Sequence, residues 1–325
     1  MGHRNTRDAV PKHSRNARSL GSGDAGAAVL SRLAGNVFHV GSAVERTDVV
    51  ARLLDVYVAR REPGTVEDDR AVAAELRAVV GTAGPANDTD RSATIDALAL
   101  DRHEPASIAA AVAVARDHAR RAREVVSSEL WDCLDVTRSR MPRKIAPGRA
   151  HEFLGWARER SALAIGVVEG DASRDEVWEF FTLGRSLTRV ASTARLLASG
   201  LLEPDSVTSW TAALRACGAG EAFLRGRDHH PVPDDAAAFL LLDEHSPRSL
   251  RFTVRRAAEC LADVAPSCVA DEVAAFSAAR DRLEAVPADS VLGVVGDAGH
   301  RLAAAADRVA AALDERVFAA TQPAH

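Results

Sequence analysis

Two short blocks carry residue types that acid–base or metal chemistry would use. Asp101-Arg102-His103-Glu104-Pro105-Ala106-Ser107 and Asp243-Glu244-His245-Ser246-Pro247-Arg248-Ser249 each set a carboxylate two residues before an imidazole. The same spacing also serves a structural end, because short polar side chains before a helix cap its free N–H groups and Pro suits a first helical position. Capping by Ser246 and Glu104, with Asp101 and Asp243 bracing the loops, is favoured over catalysis. A second polar set comprises Glu45, Arg46 and Arg52, then Arg185, Arg189 and Arg195, with Arg248 later. Arginine forks of this kind grip a carboxylate or a phosphate. They also build buried ion-pair networks, since an unpaired buried charge is very costly. The network is the favoured reading. Arg46 and Arg189 are then mostly buried, each against a carboxylate, with Asp101 and Asp243 the expected partners. If the bundle is itself an enzyme, its candidate catalytic residues are Glu45, Arg46, Arg189, Asp101 and Asp243, with Arg52, Arg185, Arg195 and Arg248 for binding.

Other chemistries lack support in the residues. Lys12 and Lys144 are the only lysines, and neither sits in a Gly-x-x-x-x-Gly-Lys-Ser/Thr loop, which excludes a P-loop site. Gly21-Ser22-Gly23-Asp24-Ala25-Gly26 spells a dinucleotide fingerprint, yet no strand delivers it, so it reads as linker. Met1-Gly2 with Thr6 fits a myristoylation pattern by chance in a polar tail. His229-His230 beside Pro231 reads as a solvated loop, and Arg116, Arg120, Arg121 and Arg123, broken by Asp117 and Glu124, as a solvated helix face. The scattered Cys133, Cys217, Cys260 and Cys268 read as buried, reduced thiols. No metal and no cofactor is expected. A net charge of -5 argues against nucleic acid. No apolar run approaches a membrane span and the first residues lack a signal-peptide core, so a cytoplasmic location is expected with no membrane partner.

The elements that must hold these residues read as helices throughout. Aromatic residues are only 4%, so an Ala, Leu and Val core is required, and no alternating run calls for a strand. The pattern predicts helices over about Ala28–Arg61, Thr65–Val80, Pro105–Arg140, Ala150–Val168, Ser173–Leu202, Ser206–Ala216, Arg248–Asp263, Asp271–Ala285 and Leu292–Ala319, with breaks at Gly81–Asp90, Pro142–Gly148 and Pro231–Pro233. On the first helix Ser42, Glu45, Arg46 and Arg52 share a side with Phe38, Val49 and Leu53, while Val40, Val44, Ala51 and Leu54 line the other. A helix apolar nearly all round is a central, buried one.

The chain also repeats itself. Val37-Phe38-His39-Val40-Gly41-Ser42-Ala43-Val44-Glu45-Arg46, followed by Ala51-Arg52-Leu53-Leu54, returns as Phe180-Phe181-Thr182-Leu183-Gly184-Arg185-Ser186-Leu187-Thr188-Arg189, followed by Ala194-Arg195-Leu196-Leu197. The shift is 143, and 142 for the two Asp-x-His-x-Pro-x-Ser blocks, which implies an internal duplication. The expected organisation is a disordered leader over 1–28 and one all-α bundle over 29–322, with repeats over about 29–141 and 173–285.

The motifs resemble those of the bacterial alpha-E domain family. Leu30-Ser31-Arg32-Leu33-Ala34-Gly35-Asn36, Gly41-Ser42-Ala43-Val44-Glu45-Arg46, Ala51-Arg52-Leu53-Leu54-Asp55, Ala115-Arg116-Asp117-His118-Ala119-Arg120, Ser128-Glu129-Leu130-Trp131, Phe181-Thr182-Leu183-Gly184-Arg185 and Phe239-Leu240-Leu241-Leu242-Asp243 with Pro247-Arg248-Ser249 follow the family pattern over most of 29–262. The departures are Ser42 where the family usually has Arg, Thr188 where it has Glu, and His118 and Asp135 where it has Asn. If those positions serve a shared site, this member is altered there; if they brace the bundle, the change is repacking. The resemblance implies an all-helical domain that accompanies ATP-grasp-type ligases and transglutaminase-like proteins. Its implied role is that of an accessory subunit in ATP-dependent amide-bond formation, binding such a ligase or its peptide substrate. It carries over no catalytic residue. The alternative is an enzyme acting on a peptide or acyl adduct between the repeats.

Overall fold

The computed structural model describes residues 24–59, 66–82, 91–225 and 232–319. Most of the 1–28 leader, the Met1-Gly2 pattern and the His229-His230 loop lie outside them. Among the described residues the chain forms thirteen α-helices and no strand. They are α1 (Asp24–Ala59), α2 (Val66–Val79), α3 (Arg91–Leu100), α4 (Ile108–Arg121), α5 (Ser128–Ser139), α6 (Ala150–Asp171), α7 (Glu176–Ala198), α8 (Val207–Ala216), α9 (Gly220–Leu224), α10 (Pro233–Leu242), α11 (Leu250–Val264), α12 (Ala270–Glu284) and α13 (Val291–Leu313). A π-helical turn, Asp314–Phe318, continues α13.

The pair α1–α7 is the axis of the bundle. Helices α4 and α6 flank α1, and α11 and α13 flank α7. Both axial helices are largely buried, as an apolar circumference requires. Two glycines set their approach. A Cβ on Gly41 would lie 2.1 Å from the carbonyl oxygen of Phe181, and one on Gly184 would lie 2.1 Å from that of Phe38. Backbone therefore meets backbone where α1 crosses α7, and the two glycines that allow it stand 143 apart in the chain. Leu54, Phe181, Leu183, Trp210 and Phe276 are among the large side chains fully enclosed around this axis.

The expected boundaries change where capping overrides periodicity. The single helix expected over Pro105–Arg140 is two, α4 and α5, because Ser127 caps the second by accepting from Leu130 N–H at 3.2 Å. Pro105 lies in the turn ahead of α4 rather than at its first position; Ser107 is the N-cap, accepting from Ala110 N–H at 3.0 Å. Ser249 does the same for α11, accepting from Phe252 N–H at 3.1 Å. The caps are thus two residues past each Pro, not Glu104 and Ser246 before it. Helices α3, α9 and α10 fall outside the expected set. The first of these was signalled only by the i, i+3, i+4 spacing of Ile95, Leu98 and Ala99. Helix α1 begins at Asp24, inside the expected leader.

Candidate functional site

The polar residues of α1 and α7 divide into a sealed network and an open cleft. Glu45 has no solvent exposure and takes a two-pronged hydrogen bond from Arg189, Nε to Oε1 and Nη2 to Oε2, each 2.6 Å. Arg185 stands 3.6 Å from the same carboxylate, and Arg248 3.9 Å. Three residues along α1, buried Asp48 accepts from Arg52 Nε at 2.9 Å and from Arg248 Nη1 at 2.9 Å. Burial pushes both carboxyls up, but the guanidiniums outweigh it and hold each below its ordinary value: chiefly Arg189 and Arg185 for Glu45, Arg248 and Arg52 for Asp48. Arg185 shifts down, because burial outweighs Glu45, whereas Arg248 shifts up, because Asp48 and Glu45 together outweigh its burial.

Asp101 and Asp243 are not in this network, contrary to expectation. Asp101 accepts from His103 N–H at 2.8 Å, and its carbonyl takes the Ser107 hydroxyl. Asp243 accepts from His245 N–H at 2.9 Å and Ser246 N–H at 2.6 Å, and its carbonyl takes the Ser249 hydroxyl. Each carboxylate is spent bracing its own turn, because a short side chain reaches backbone two residues on more readily than a helix across the bundle. Arg189 and Arg46 do reach these turns, but through backbone: Arg189 donates to the Pro247 carbonyl at 2.9 Å and Arg46 to the Pro105 carbonyl at 3.4 Å. Arg46 forms no ion pair with a carboxylate among the described residues, which corrects the expectation that it would.

Arg46 instead lines a cleft of about 260 Å³ between α1, α7 and α13, with Ser42, Thr188, Ser192, Arg195 and Asp307. Burial lowers the Arg46 pKa, the nearby Arg195 lowers it further, and Asp307 acts against both. Arg195 is paired with Asp307. The Ser42 and Thr188 hydroxyls share a hydrogen bond of 2.8 Å across the helix pair. One end of the cleft holds His39, whose Nε2 is 3.1 Å from Asp314 Oδ1. His118 lies against His39 with ring centroids 4.6 Å apart and meets Asn36 Oδ1 at 2.8 Å. Burial above all, then His39 and Arg121, takes the His118 pKa down to about 4.

Sequence reasoning missed His39, Asp307 and Asp314 as cleft residues. The last two sit on the final helix and its π turn, more than a hundred residues from α7, and nothing local marks them. Ser42 was legible on the Arg46 side of its helix and as a departure from the family pattern, Thr188 only as such a departure. Of the other expectations, Cys133, Cys217 and Cys260 are buried but Cys268 is exposed. Arg116 pairs with Asp135 at 3.0 Å and Asp117 at 3.1 Å, and with Arg123 it covers the Trp131 ring. No cluster of three metal-ligating side chains occurs among the described residues.

A family model described as a predicted alpha-helical domain with a conserved ER motif matches residues 29–319. Glu45-Arg46 is the Glu-Arg pair that stands in the axial helix and divides its two side chains between the network and the cleft. Comparison with curated proteins gave no match, and neither did comparison with solved structures.

Proposed function

The chain belongs to the Alpha-E family, and from that premise we propose that it is a helical accessory subunit of an ATP-dependent amide-bond-forming system, one that holds the peptide substrate for an ATP-grasp-type ligase. The observation that carries the binding role is Arg46: a partly buried guanidinium with no ion-paired carboxylate among the described residues, facing a cleft between the two axial helices. A buried charge left short of compensation favours an anion from outside. The ligase partner follows from the company that the resemblance assigns to such domains. A transglutaminase-like protein is the other partner it implies.

Binding is preferred to catalysis because Asp101 and Asp243, two of the acids an enzyme would use, are committed to their turns. The other reading, a bundle that itself acts on a peptide or acyl adduct, draws instead on the His39–Asp314 pair at the end of the cleft. An imidazole beside a carboxylate is a candidate general base, though here the 3.1 Å approach is an ion contact and not an aligned hydrogen bond.

Co-purification tests the proposal. The tagged full chain is expressed with an ATP-grasp-type ligase. Retention of the ligase, and ligation that slows when the chain is left out, is the expected result. A ligase that neither co-purifies with the chain nor responds to it overturns the accessory role. Turnover of a peptide by the chain alone, lost in His39→Gln, would establish the second reading.

A further inference from the structure

The two sides of the α1–α7 pair are framed alike and filled differently. Arg46 and Arg189, 143 residues apart, each donate to the carbonyl of the Pro in an Asp-x-His-x-Pro block. Arg52 lies against the turn at Gly218, and Arg195, again 143 residues on, lies against the turn at Gly81. With the reciprocal contacts of Gly41 and Gly184, these fix which positions correspond across the axis.

Four charged residues on the Arg189 side have small counterparts on the Arg46 side. Glu45 corresponds to Thr188, Asp48 to Ala191 and Arg185 to Ser42 at a shift of 143; Arg248 corresponds to Ala106 at the shift of 142 that relates the Pro blocks. The void on the Arg189 side, walled by Arg52, Arg189 and Arg248, is only about 20 Å³, room for about one water. The void on the Arg46 side is about 260 Å³. One side is closed by Glu45 and Asp48. The other keeps Arg46 and Arg195, has no counterpart of either acid on its axial helix, and draws its carboxylates, Asp307 and Asp314, from the end of the chain, with Asp307 already paired to Arg195.

We infer that the Arg46 cleft binds an acidic amino acid, free or within a short peptide, whose side-chain carboxylate takes at Arg46 the place that Glu45 takes at Arg189. The Glu45–Arg189 fork, two 2.6 Å bonds, is the template for that contact. The rest of the lining fits this class. Val49, Leu187 and Ala191 offer apolar wall to a short aliphatic chain, while Asp307 and Asp314 oppose a second negative charge and suit an ammonium. A phosphate dianion would meet those two carboxylates unbalanced. The inference rests on the binding role proposed above, and its test needs only the purified chain.

Calorimetric titration with L-glutamate, glutarate and inorganic phosphate provides the test, on the wild type, Arg46→Gln and Thr188→Glu. Glutamate is expected to bind the wild type more tightly than phosphate does. Arg46→Gln is expected to weaken glutamate by about tenfold or more, the usual cost of losing charge-assisted hydrogen bonds. Thr188→Glu supplies the missing acid from within, so it is expected to melt higher than the wild type and to lose glutamate binding. Thr188→Asp, shorter by a methylene, serves if the Glu variant does not fold. Glutamate binding weaker than about 1 mM, phosphate preferred to glutamate, or undiminished binding in Arg46→Gln would each overturn the inference. A ligase that fails to co-purify while glutamate binds leaves this site standing and removes only the accessory role.

Discussion

Glu45→Gln removes one negative charge and almost no volume from the middle of the bundle, so its effect isolates the electrostatics of the network. The carboxylate is fully buried and faces Arg189 at 2.6 Å, Arg185 at 3.6 Å and Arg248 at 3.9 Å. Removing one partner of a buried pair strands the other, at a typical cost of about 3–5 kcal/mol. Domains are stable by about 5–15 kcal/mol in total, so a large share is lost. At roughly 2–4 °C per kcal/mol, the scale for domains somewhat smaller than this, the melting temperature should fall by roughly 6–20 °C. Arg189→Met should cost a similar amount by stranding Glu45, whereas Glu45→Gln with Arg189→Met should cost clearly less than the two single losses summed, since no charge of that pair is left behind. Urea unfolding of the four proteins gives the coupling directly. The carboxyl is held below its ordinary 4.5, so its contribution is complete above that pH and disappears as the pH falls through the lower folded value. The wild type should therefore lose stability below pH 4.5 more steeply than Glu45→Gln. A Glu45→Gln variant within about 1 kcal/mol of the wild type, with no difference in that acid limb, would refute the network as a stabilising element.

Gly41→Ala and Gly184→Ala each force a methyl to within 2.1 Å of a facing carbonyl oxygen, so α1 and α7 must part; each should cost at least about 1–3 kcal/mol in urea unfolding, and an unchanged midpoint would contradict the close crossing. Ser107→Ala and Ser249→Ala each delete a cap that also donates to the neighbouring Asp carbonyl, and each should cost about 0.5–2 kcal/mol by thermal unfolding, with equal effects in the two blocks. His118, lowered from 6.5 to about 4 chiefly by burial, is neutral in the fold and protonates more readily when unfolded. Its contribution is therefore complete above pH 6.5 and is lost as the pH drops towards 4; His118→Asn should flatten the stability profile across that window, and an unchanged slope would show that His118 is not the group responsible.

The sequence alone determined the class of the fold and the frame of the site. Scarce aromatics, abundant Ala and Leu, and 3.6-residue periodicity without alternation leave helices as the only way to bury the apolar surface. An axial helix was legible because Phe38, Val40, Val44, Leu53 and Leu54 surround it. The repeated Arg46 and Arg189 were legible as a pair, and a buried ion network was the favoured reading for both; it holds Arg189 but not Arg46. What a linear pattern does not carry is distance across the bundle. Asp101 and Asp243 stood in the right blocks to partner the arginines, yet local backbone N–H groups lie within reach of a short carboxylate before any arginine does, and they won. Glu45, on the same helix as Arg46, turned out to serve Arg189 because the glycine-spaced crossing brings α7 against that face of α1. The cleft, too, belongs to tertiary structure alone: it exists because Ser42, Thr188 and Ala191, small side chains on two helices far apart in the chain, converge with Asp307 and Asp314 from the last helix and its π turn. Volume and unpaired charge are properties of that convergence, set by packing between residues distant in sequence, and no single segment encodes them.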